Sequence, residues 1–296
     1  MRLPLESHVK QVLEGSTLEA RAAAPLSATP RAFLRWAGSK RFLLRHLVPL
    51  LPRAIGTYHE PFLGSGSLFF LLRPERAVLN DACQDLVETY RALSRSPDLI
   101  VDALSEMRPD PALYYRIRRA RSTDPAIRAA EFLYLNATAW NGLYRVNARG
   151  EFNVPYGRPK TDNISDATNL LACSSILRGP NVALTSGDFE RAISTAVSGD
   201  LVYMDPPYVT RHNNNGFVDY NEQLFKWSDQ ERLALAARRL ADSGVSVIVS
   251  NANHHDVLAL YPGFTAIRVE RCSTLAGSPA SRGPVSEIIL VKLASG

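Results

Sequence analysis

Cysteine is scarce in this chain, with three residues among 296: Cys83, Cys173 and Cys272. They lie far apart and do not follow the short spacing of metal ligands. This distribution argues against a disulfide framework and against a zinc site, so we expect no bound metal. It fits a protein that works in a reducing compartment, and we expect a cytoplasmic one.

Long apolar runs are also missing. No stretch reaches the roughly 20 apolar residues of a bilayer-spanning helix, and no signal-peptide pattern opens the chain, so we expect no membrane segment. With 46% hydrophobic and 21% charged residues, the sequence can form one large α/β domain, or one domain with a substantial insert. No internal repeat is visible in it.

Acidic residues are outnumbered by basic ones, which gives a formal net charge of +5. A basic balance suits a polyanionic partner such as nucleic acid. It does not demand one, because many enzymes that never bind nucleic acid are mildly basic. Composition alone therefore leaves the partner open.

Two strand–turn–helix units in succession indicate a parallel sheet with crossover helices. A helix with apolar residues at helical spacing is predicted before them at residues 39–51, where Pro52 stops it. Residues 1–30 lack sustained periodicity and are predicted to be a flexible extension. The strands of the two units are predicted at residues 57–62 and 77–79, and their helices at residues 68–72 and 84–93.

This alternation stops at residue 97. We predict a mainly helical insert over residues 97–177, with a hairpin at 141–157 where polar residues and glycines gather. The sequence thus predicts an α/β fold that has helices on both faces of its sheet and carries one insert. The strands after the insert are predicted at residues 182–184, 201–204, 245–250, 264–270 and 287–293, with a helix at 229–241.

A glycine turn follows the first predicted strand, in Glu60-Pro61-Phe62-Leu63-Gly64-Ser65-Gly66. Glycines there let backbone approach a ligand closely, although a plain structural turn explains them equally well. Asp81 ends the next strand, where the hydroxyl pair of a ribose needs an acceptor. Leu68 and Phe69 replace the third glycine of the dinucleotide fingerprint, so we expect another adenosine-containing ligand.

The segment Asp205-Pro206-Pro207-Tyr208 follows four apolar residues, so it lies at the strand edge where open α/β sheets place their active sites. The exocyclic amine of adenine is a poor nucleophile, because its lone pair is delocalised into the ring. A carboxylate and the first proline's carbonyl can each accept one N–H, which favours a tetrahedral nitrogen. Tyr208 offers a face on which an extruded base can stack. The alternative is a Pro-Pro turn capped by an aspartate.

Aromatic and basic residues gather in further segments. Trp36 can pack beside a sulfonium cofactor, but a buried tryptophan before a helix explains it too. Residues 138–147 combine aromatics that can wedge between base pairs with an arginine suited to a guanine edge. Six arginines of the insert fit either phosphate binding or a solvated helix face. They are Arg108, Arg116, Arg118, Arg119, Arg121 and Arg128.

Taken in this order, the motifs resemble those of the Dam-like, D12 class DNA adenine N6-methyltransferases. The resemblance covers the chain from Arg31 to its C-terminus. It is carried by residues 31–40, 60–66, 141–145, 150–158 and 205–208.

The resemblance implies S-adenosylmethionine as cofactor, double-stranded DNA as partner and a Rossmann-like methyltransferase sheet. Residues 31–96 and 178–296 would form the catalytic domain, and residues 97–177 the target-recognition domain. The implied catalytic residues are Asp205, Pro206 and Tyr208. The implied cofactor-binding residues are Trp36, Lys40, Glu60, Pro61, Phe62, Gly64, Gly66, Asp81, Asp188, Phe189 and Asp205.

The resemblance also implies GATC as the target sequence. Trp140 and Asn141 would lie beside the extruded adenine, and Arg35 would touch the first guanine. Trp140 and Arg35 replace a commoner tyrosine and a commoner lysine. The residues implied to read the outer bases are Leu143, Arg145 and Pro155.

Two other kinds of function remain open. A methyltransferase of the same fold can act on RNA adenine, cytosine N4 or a protein glutamine. Asp205 argues against the last two, because cytosine enzymes usually have serine there and glutamine enzymes asparagine. A DNA-binding relative without catalysis is the second kind, and the intact glycine turn and Asp205 count against it. We expect a monomeric, cytoplasmic enzyme that is associated with the nucleoid when it acts.

Overall fold

The computed structural model describes residues 30–36, 40–147, 149–209, 225–272 and 284–294. Apart from Pro30, the predicted extension lies outside these residues. Seven strands in the described chain form one sheet. They are β1 (Tyr58–Glu60), β2 (Ala77–Asp81), β3 (Val182–Ser186), β4 (Leu201–Met204), β5 (Ser246–Ala252), β6 (Thr265–Cys272) and β7 (Pro284–Lys292).

The sheet has the strand order β3-β2-β1-β4-β5-β7-β6. Strands β1 to β5 are parallel, and β7 runs antiparallel between β5 and β6. Strand β1 is shorter than the predicted 57–62, because Pro61 has no N–H with which to continue the ladder. The other strands lie where the hydrophobic runs predicted them.

Helices precede, connect and interrupt the strands. The helix predicted at 39–51 is short within the described residues: one α-helical turn passes into a 3₁₀ turn at Val48–Leu50. Pro49 explains this, since its nitrogen cannot donate to the carbonyl four residues earlier. The helices are α1 (Leu44–Leu47), α2 (Ser67–Leu72), α3 (Gln84–Arg95), α4 (Pro97–Ser105), α5 (Pro111–Arg119), α6 (Pro125–Thr138), α7 (Ala167–Leu177), α8 (Phe189–Ile193), α9 (Trp227–Asp242) and α10 (His255–Ala259).

Two hydrophobic cores cover the two faces of the sheet. Along β4, Leu201 and Tyr203 belong to one core, whereas Val202 and Met204 belong to the other. This alternation is that of a strand buried on both sides. The first core includes residues of α2 and α3 and the second includes residues of α8 and α9. The predicted α/β fold with helices on both faces is confirmed.

Where the structure describes it, the segment 97–177 contributes four α-helices and a hairpin. Helices α5, α6 and α7 each begin after an aspartate whose carboxylate accepts backbone N–H groups of the first turn. Antiparallel bridges join Ala139 to Tyr156 and Val146 to Phe152, at the predicted hairpin. None of the described helices is long and apolar enough to cross a membrane.

Candidate active site

Three neighbouring strands bring acidic residues to one edge of the sheet. Glu60 ends β1, Asp81 ends β2 and Asp205 directly follows β4. Because parallel strands end at the same edge, the three side chains lie around one cleft. The cleft has a volume of about 1470 Å³, and its lining also includes Trp36 and Tyr208.

The glycine turn after β1 forms part of the cleft wall. Gly64 has a φ of +47°, and a Cβ there would lie 2.9 Å from Cδ1 of Trp36. Its N–H donates to Oδ2 of Asp81 at 2.9 Å. Only glycine allows both this backbone conformation and the close contact with the indole. The turn therefore joins Trp36 and Asp81, two of the predicted cofactor residues, at one point.

The acids of the cleft are held in place by neutral donors. Asp81 accepts backbone N–H groups from Gly64 and Cys83, and Glu60 accepts the Tyr58 hydroxyl at 2.9 Å. Burial raises the pKa of Asp81 and raises that of Glu60 well above its usual value. Such a wall favours a ligand that carries positive charge and hydroxyl groups.

Asp205 lies at the centre of a second cluster. Its Oδ1 accepts the Ser250 hydroxyl at 2.6 Å and lies 3.3 Å from Nζ of Lys40. Burial raises the pKa of Asp205, while Lys40 and the Ser250 hydrogen bond lower it. Lys40 also lies 4.0 Å from the centroid of the Tyr208 ring. The lysine thus contacts both ends of the Asp205–Tyr208 loop.

Several residues that sequence reasoning missed support this loop. Glu287 accepts the Tyr208 hydroxyl at 2.8 Å, and Gln230 donates to the Pro207 carbonyl at 3.3 Å. Because Ser250 donates to Asp205, the Tyr203 hydroxyl is the donor in its 3.1 Å contact with Ser250. One signal was available in the sequence: Glu287 stands directly before an apolar run, where a lone acid is unusual.

Asp188 and Phe189 do not belong to the described lining of the cleft. Phe189 is buried and stacks on Phe62, which does line the cleft, with ring centroids 5.4 Å apart. Asp188 caps helix α8 and pairs with Arg232 at 3.0 Å. Phe189 therefore lies one layer behind Phe62, whereas Asp188 is exposed at the start of α8. Pro61 and Gly66 are likewise outside the described lining, beside residues that belong to it.

The insert supplies the other side of the same cleft. Its lining includes Trp140, Leu143, Arg145 and Pro155, and the Trp140 side chain is 48% exposed. The Trp140 N–H donates to the Pro155 carbonyl at 3.0 Å, so the hairpin's backbone pairing holds the two together. Four of the six predicted DNA residues therefore face the cleft that Asp205 lines.

Arg35 and Asn141 lie beside this group and outside the described lining. Arg35 is exposed, and it packs on Gly142, where an added Cβ would lie 2.7 Å from the arginine's own Cβ. Asn141 is exposed in a left-handed conformation with a φ of +53°. Both residues are adjacent to the hairpin that carries Trp140.

Three of the insert's arginines have a structural role. Arg121 and Arg128 pair with Asp85 of helix α3 at 2.8 and 2.9 Å. Arg118 donates to the Val154 carbonyl at 3.1 Å and so supports the hairpin. These contacts tie the insert to α3 and to the hairpin, and phosphate binding by the six arginines stays a prediction.

The sheet is mixed, with five parallel strands and an antiparallel β7, and acids end three of the parallel strands beside one large cleft. Together with the Asp-Pro-Pro-Tyr loop, this arrangement defines a Rossmann-like methyltransferase. The sequence profile of the D12 class N6 adenine-specific DNA methyltransferases matches residues 36–275. The chain belongs to this family, which confirms the predicted resemblance.

Named relatives agree with this assignment. A Type II methyltransferase of Lactococcus lactis subsp. cremoris is 37% identical over 268 residues, which cover 88% of this chain and 94% of the relative. One from Methanocaldococcus jannaschii is 35% identical over 263 residues, covering 81% and 90%. The DNA adenine methylase of Salmonella typhimurium strain LT2 is 34% identical over 227 residues, covering 75% and 80%.

Proposed function

We propose that this adenine-specific DNA methyltransferase takes its methyl group from S-adenosylmethionine and modifies adenine N6 in duplex DNA at GATC. One observation carries the proposal: a single cleft is lined by the glycine turn, the Asp205 loop and the hairpin of the insert. A base extruded from DNA held by the insert would need to travel no further than this cleft.

The residues on the sheet side of the cleft suit S-adenosylmethionine. Asp81 keeps lone pairs free for the ribose hydroxyls, since a carboxylate accepts more than its two backbone hydrogen bonds. Trp36 and the acid wall suit a sulfonium cation. Asp188 and Phe189 are proposed to hold the adenine of the cofactor, together with Phe62, on which Phe189 stacks. When bound, the cofactor supplies a methyl group that its positive sulfur has already activated.

Asp205 and the Pro206 carbonyl are proposed to accept the two N–H groups of the target amine. Asp205 must be ionised to do so, and the nearby Lys40 ammonium favours that form against the effect of burial. Tyr208 is proposed to stack on the extruded adenine. These groups hold the nitrogen and direct its lone pair, which is the positioning that methyl transfer requires.

The segment 97–177 is proposed as the target-recognition domain. Trp140 and Asn141 would fill the gap beside the extruded adenine, whereas Arg35 and Arg145 would bind guanine edges. Leu143 and Pro155 would contact the remaining outer bases. Arginine and lysine contacts to phosphate would make DNA affinity fall steeply with salt.

The proposal is tested by transfer of labelled methyl from S-adenosylmethionine to unmethylated duplex DNA, followed by sequencing for N6-methyladenine. Methylation confined to GATC is the expected result. Methylation of adenine in another sequence would reject the base-reading roles and keep the chemistry. Absence of methyladenine, with cofactor binding intact, would reject the proposed reaction.

A matched variant separates chemistry from binding. Asp205→Asn keeps the size of the side chain and removes the carboxylate, so we expect methyl transfer to fall by at least about 100-fold. Affinity for duplex DNA should change by less than about threefold. Wild-type turnover in this variant would contradict the role of Asp205.

A further inference from the structure

Glu287 is a buried carboxylate at the active edge of the sheet. It lies on β7, where it pairs with Ala252 of β5 and Val269 of β6, and only 1% of its surface is exposed. Burying an ionised carboxylate is strongly unfavourable unless charged and hydrogen-bonding partners compensate. Because Glu287 lies among apolar strand residues, its carboxylate depends on such partners.

Glu287 contacts Tyr208, which ends the proposed catalytic loop, and Lys40, which lies beside Asp205 at the start of that loop. Oε2 of Glu287 accepts the Tyr208 hydroxyl at 2.8 Å and lies 3.7 Å from Nζ of Lys40. The same ammonium lies 3.3 Å from Oδ1 of Asp205 and 4.0 Å from the Tyr208 ring centroid. One lysine is thus shared between two carboxylates and an aromatic face.

We propose that Glu287 is a positioning residue for methyl transfer, which fixes the ring of Tyr208 and shares the Lys40 ammonium with Asp205. The inference rests on the proposed roles of Asp205 and Tyr208. Glu287 needs no contact with the substrate, because its hydrogen bond sets where the tyrosine ring lies. A ring held in this way presents a fixed face to the base, which reduces the entropy lost when the base enters.

The shared lysine gives Glu287 a second effect, on the charge of Asp205. Burial raises the pKa of Asp205, Lys40 and Ser250 lower it, and the negative charge of Glu287 raises it. Removing that charge while keeping Lys40 should therefore make Asp205 easier to ionise. Among the residues that the structure describes, the ionisable groups that interact with Asp205 include Lys40, Tyr58, Glu60, Tyr203, Tyr208 and Glu287.

Two substitutions separate the hydrogen bond from the charge. Glu287→Gln keeps the size of the side chain and an oxygen that accepts the Tyr208 hydroxyl, and it replaces the charged carboxylate by a neutral amide. Glu287→Ala removes both. We would measure the single-turnover rate of methyl transfer from pH 4.5 to 9, together with the affinities for S-adenosylmethionine and for duplex DNA, in the full chain.

The expected results differ in kind. In Glu287→Gln the acid limb of the rate profile should move to lower pH, with a small change in the plateau rate. In Glu287→Ala the plateau should fall roughly tenfold or more, with DNA affinity nearly unchanged. Lys40→Met should move the acid limb the opposite way. Glu270→Gln is the matched control, because this exposed glutamate lies on the adjacent strand β6 and pairs with Arg268 at the surface.

If the role of Glu287 is purely structural, its substitution should lower the melting temperature, and the acid limb of Glu287→Gln should stay where the wild type has it. That outcome would overturn the inference, as would a wild-type plateau rate in Glu287→Ala. The proposed function fails separately, if Asp205→Asn retains turnover. If Glu287→Ala does not fold, the acid limb of the isosteric Glu287→Gln decides the question alone.

Discussion

At the scale of one residue, Glu60 is a buried acid of the cleft wall that lowers the stability of the ligand-free protein and suits a cationic ligand. It is 3% exposed, it accepts hydrogen bonds from neutral donors, the Tyr58 hydroxyl and the Phe69 backbone N–H, and Asp205 adds like charge nearby. Burial is the main cause of its raised pKa. The ionised form is therefore poorly stabilised by the folded protein alone, and a cationic ligand would supply the missing charge.

Glu60→Gln should stabilise the ligand-free protein at neutral pH. A carboxyl whose pKa is raised on folding contributes fully to the free energy of unfolding below its unfolded-state pKa. That contribution is lost as pH rises through the folded-state pKa. Glutamine does not titrate and still accepts the Tyr58 hydroxyl. We expect a gain of about 1 kcal/mol in the free energy of unfolding at pH 7, shrinking towards zero below about pH 4.

Denaturant titrations at several pH values measure this difference. Glu75→Gln is the control, because Glu75 is exposed in the turn before β2. The same Glu60→Gln protein should bind S-adenosylmethionine more weakly than wild type. A variant that is less stable than wild type at pH 7 would contradict the account of Glu60.

At the scale of elements, the turn between β1 and α2 depends on Gly64. Alanine there would have to adopt a φ of +47° and would also meet the Trp36 ring. Gly263 has a φ of +80° with open space around it, so Gly263→Ala isolates the backbone strain. We expect each variant to lose about 1–2 kcal/mol of stability from strain. Only Gly64→Ala should also weaken cofactor binding, by roughly tenfold, as isothermal titration would show. Equal cofactor affinity in the two variants would contradict the packing role.

A second feature at the scale of elements is the ionic clasp, by which we mean the pairing of Asp85 on α3 with Arg121 and with Arg128 on α6. Burial alone would raise the pKa of Asp85, but Arg121 and Arg128 together lower it. Asp85 therefore contributes to the free energy of unfolding at pH values above its unfolded-state pKa. This contribution is lost as pH falls through its folded-state pKa. Asp85→Asn should reduce the free energy of unfolding by about 1–2 kcal/mol at pH 7, and by much less near pH 3.

Urea titrations of Asp85→Asn test the clasp, with Asp102→Asn on the exposed surface of α4 as control. The hairpin should also be less firmly placed, because Tyr144 donates to Asp85 at 3.4 Å and stacks on Trp36. We expect the KM for DNA to rise more than the affinity for cofactor falls. A pH-independent loss of stability would argue against an ionic clasp.

Local patterns in the sequence predicted most elements of this fold, because strand and helix periodicity and turn glycines act over a few residues. The edge that gathers Glu60, Asp81 and Asp205 was also predictable, since Asp81 and Asp205 follow apolar runs and Glu60 opens the glycine-turn segment after the first predicted strand. Contacts between distant segments could not be predicted from the sequence. The contact of Lys40 with Glu287 joins residues almost 250 positions apart, and nothing in either segment encodes the register that brings them together. Likewise, periodicity could not show that Arg121 pairs with Asp85.

At the scale of the whole molecule, the insert and the sheet share one core. The same buried cluster contains Tyr203 of β4, Tyr90 of α3, and Tyr114 and Phe132 of the insert. Ser174 of α7 donates to the Leu93 carbonyl of α3 at 2.8 Å, which ties the end of the insert to the same helix. Sequence reasoning placed the insert's boundaries where the alternation of strand and helix stops, and it could not show how closely the two parts pack.

This shared core predicts one cooperative unfolding transition for the full chain, with fluorescence and circular dichroism changing together. Arg178 donates to the Ser94 carbonyl at 2.8 Å, so the two ends of the insert lie close enough for a short linker to replace residues 97–177. That deletion should expose the apolar face of α3, bind hydrophobic dye and lose its cooperative transition. Arg145→Ala is the control, because its exposed side chain lies outside the core, and it should melt like wild type. A deletion variant that unfolds cooperatively and binds S-adenosylmethionine with wild-type affinity would show that the sheet folds independently of the insert.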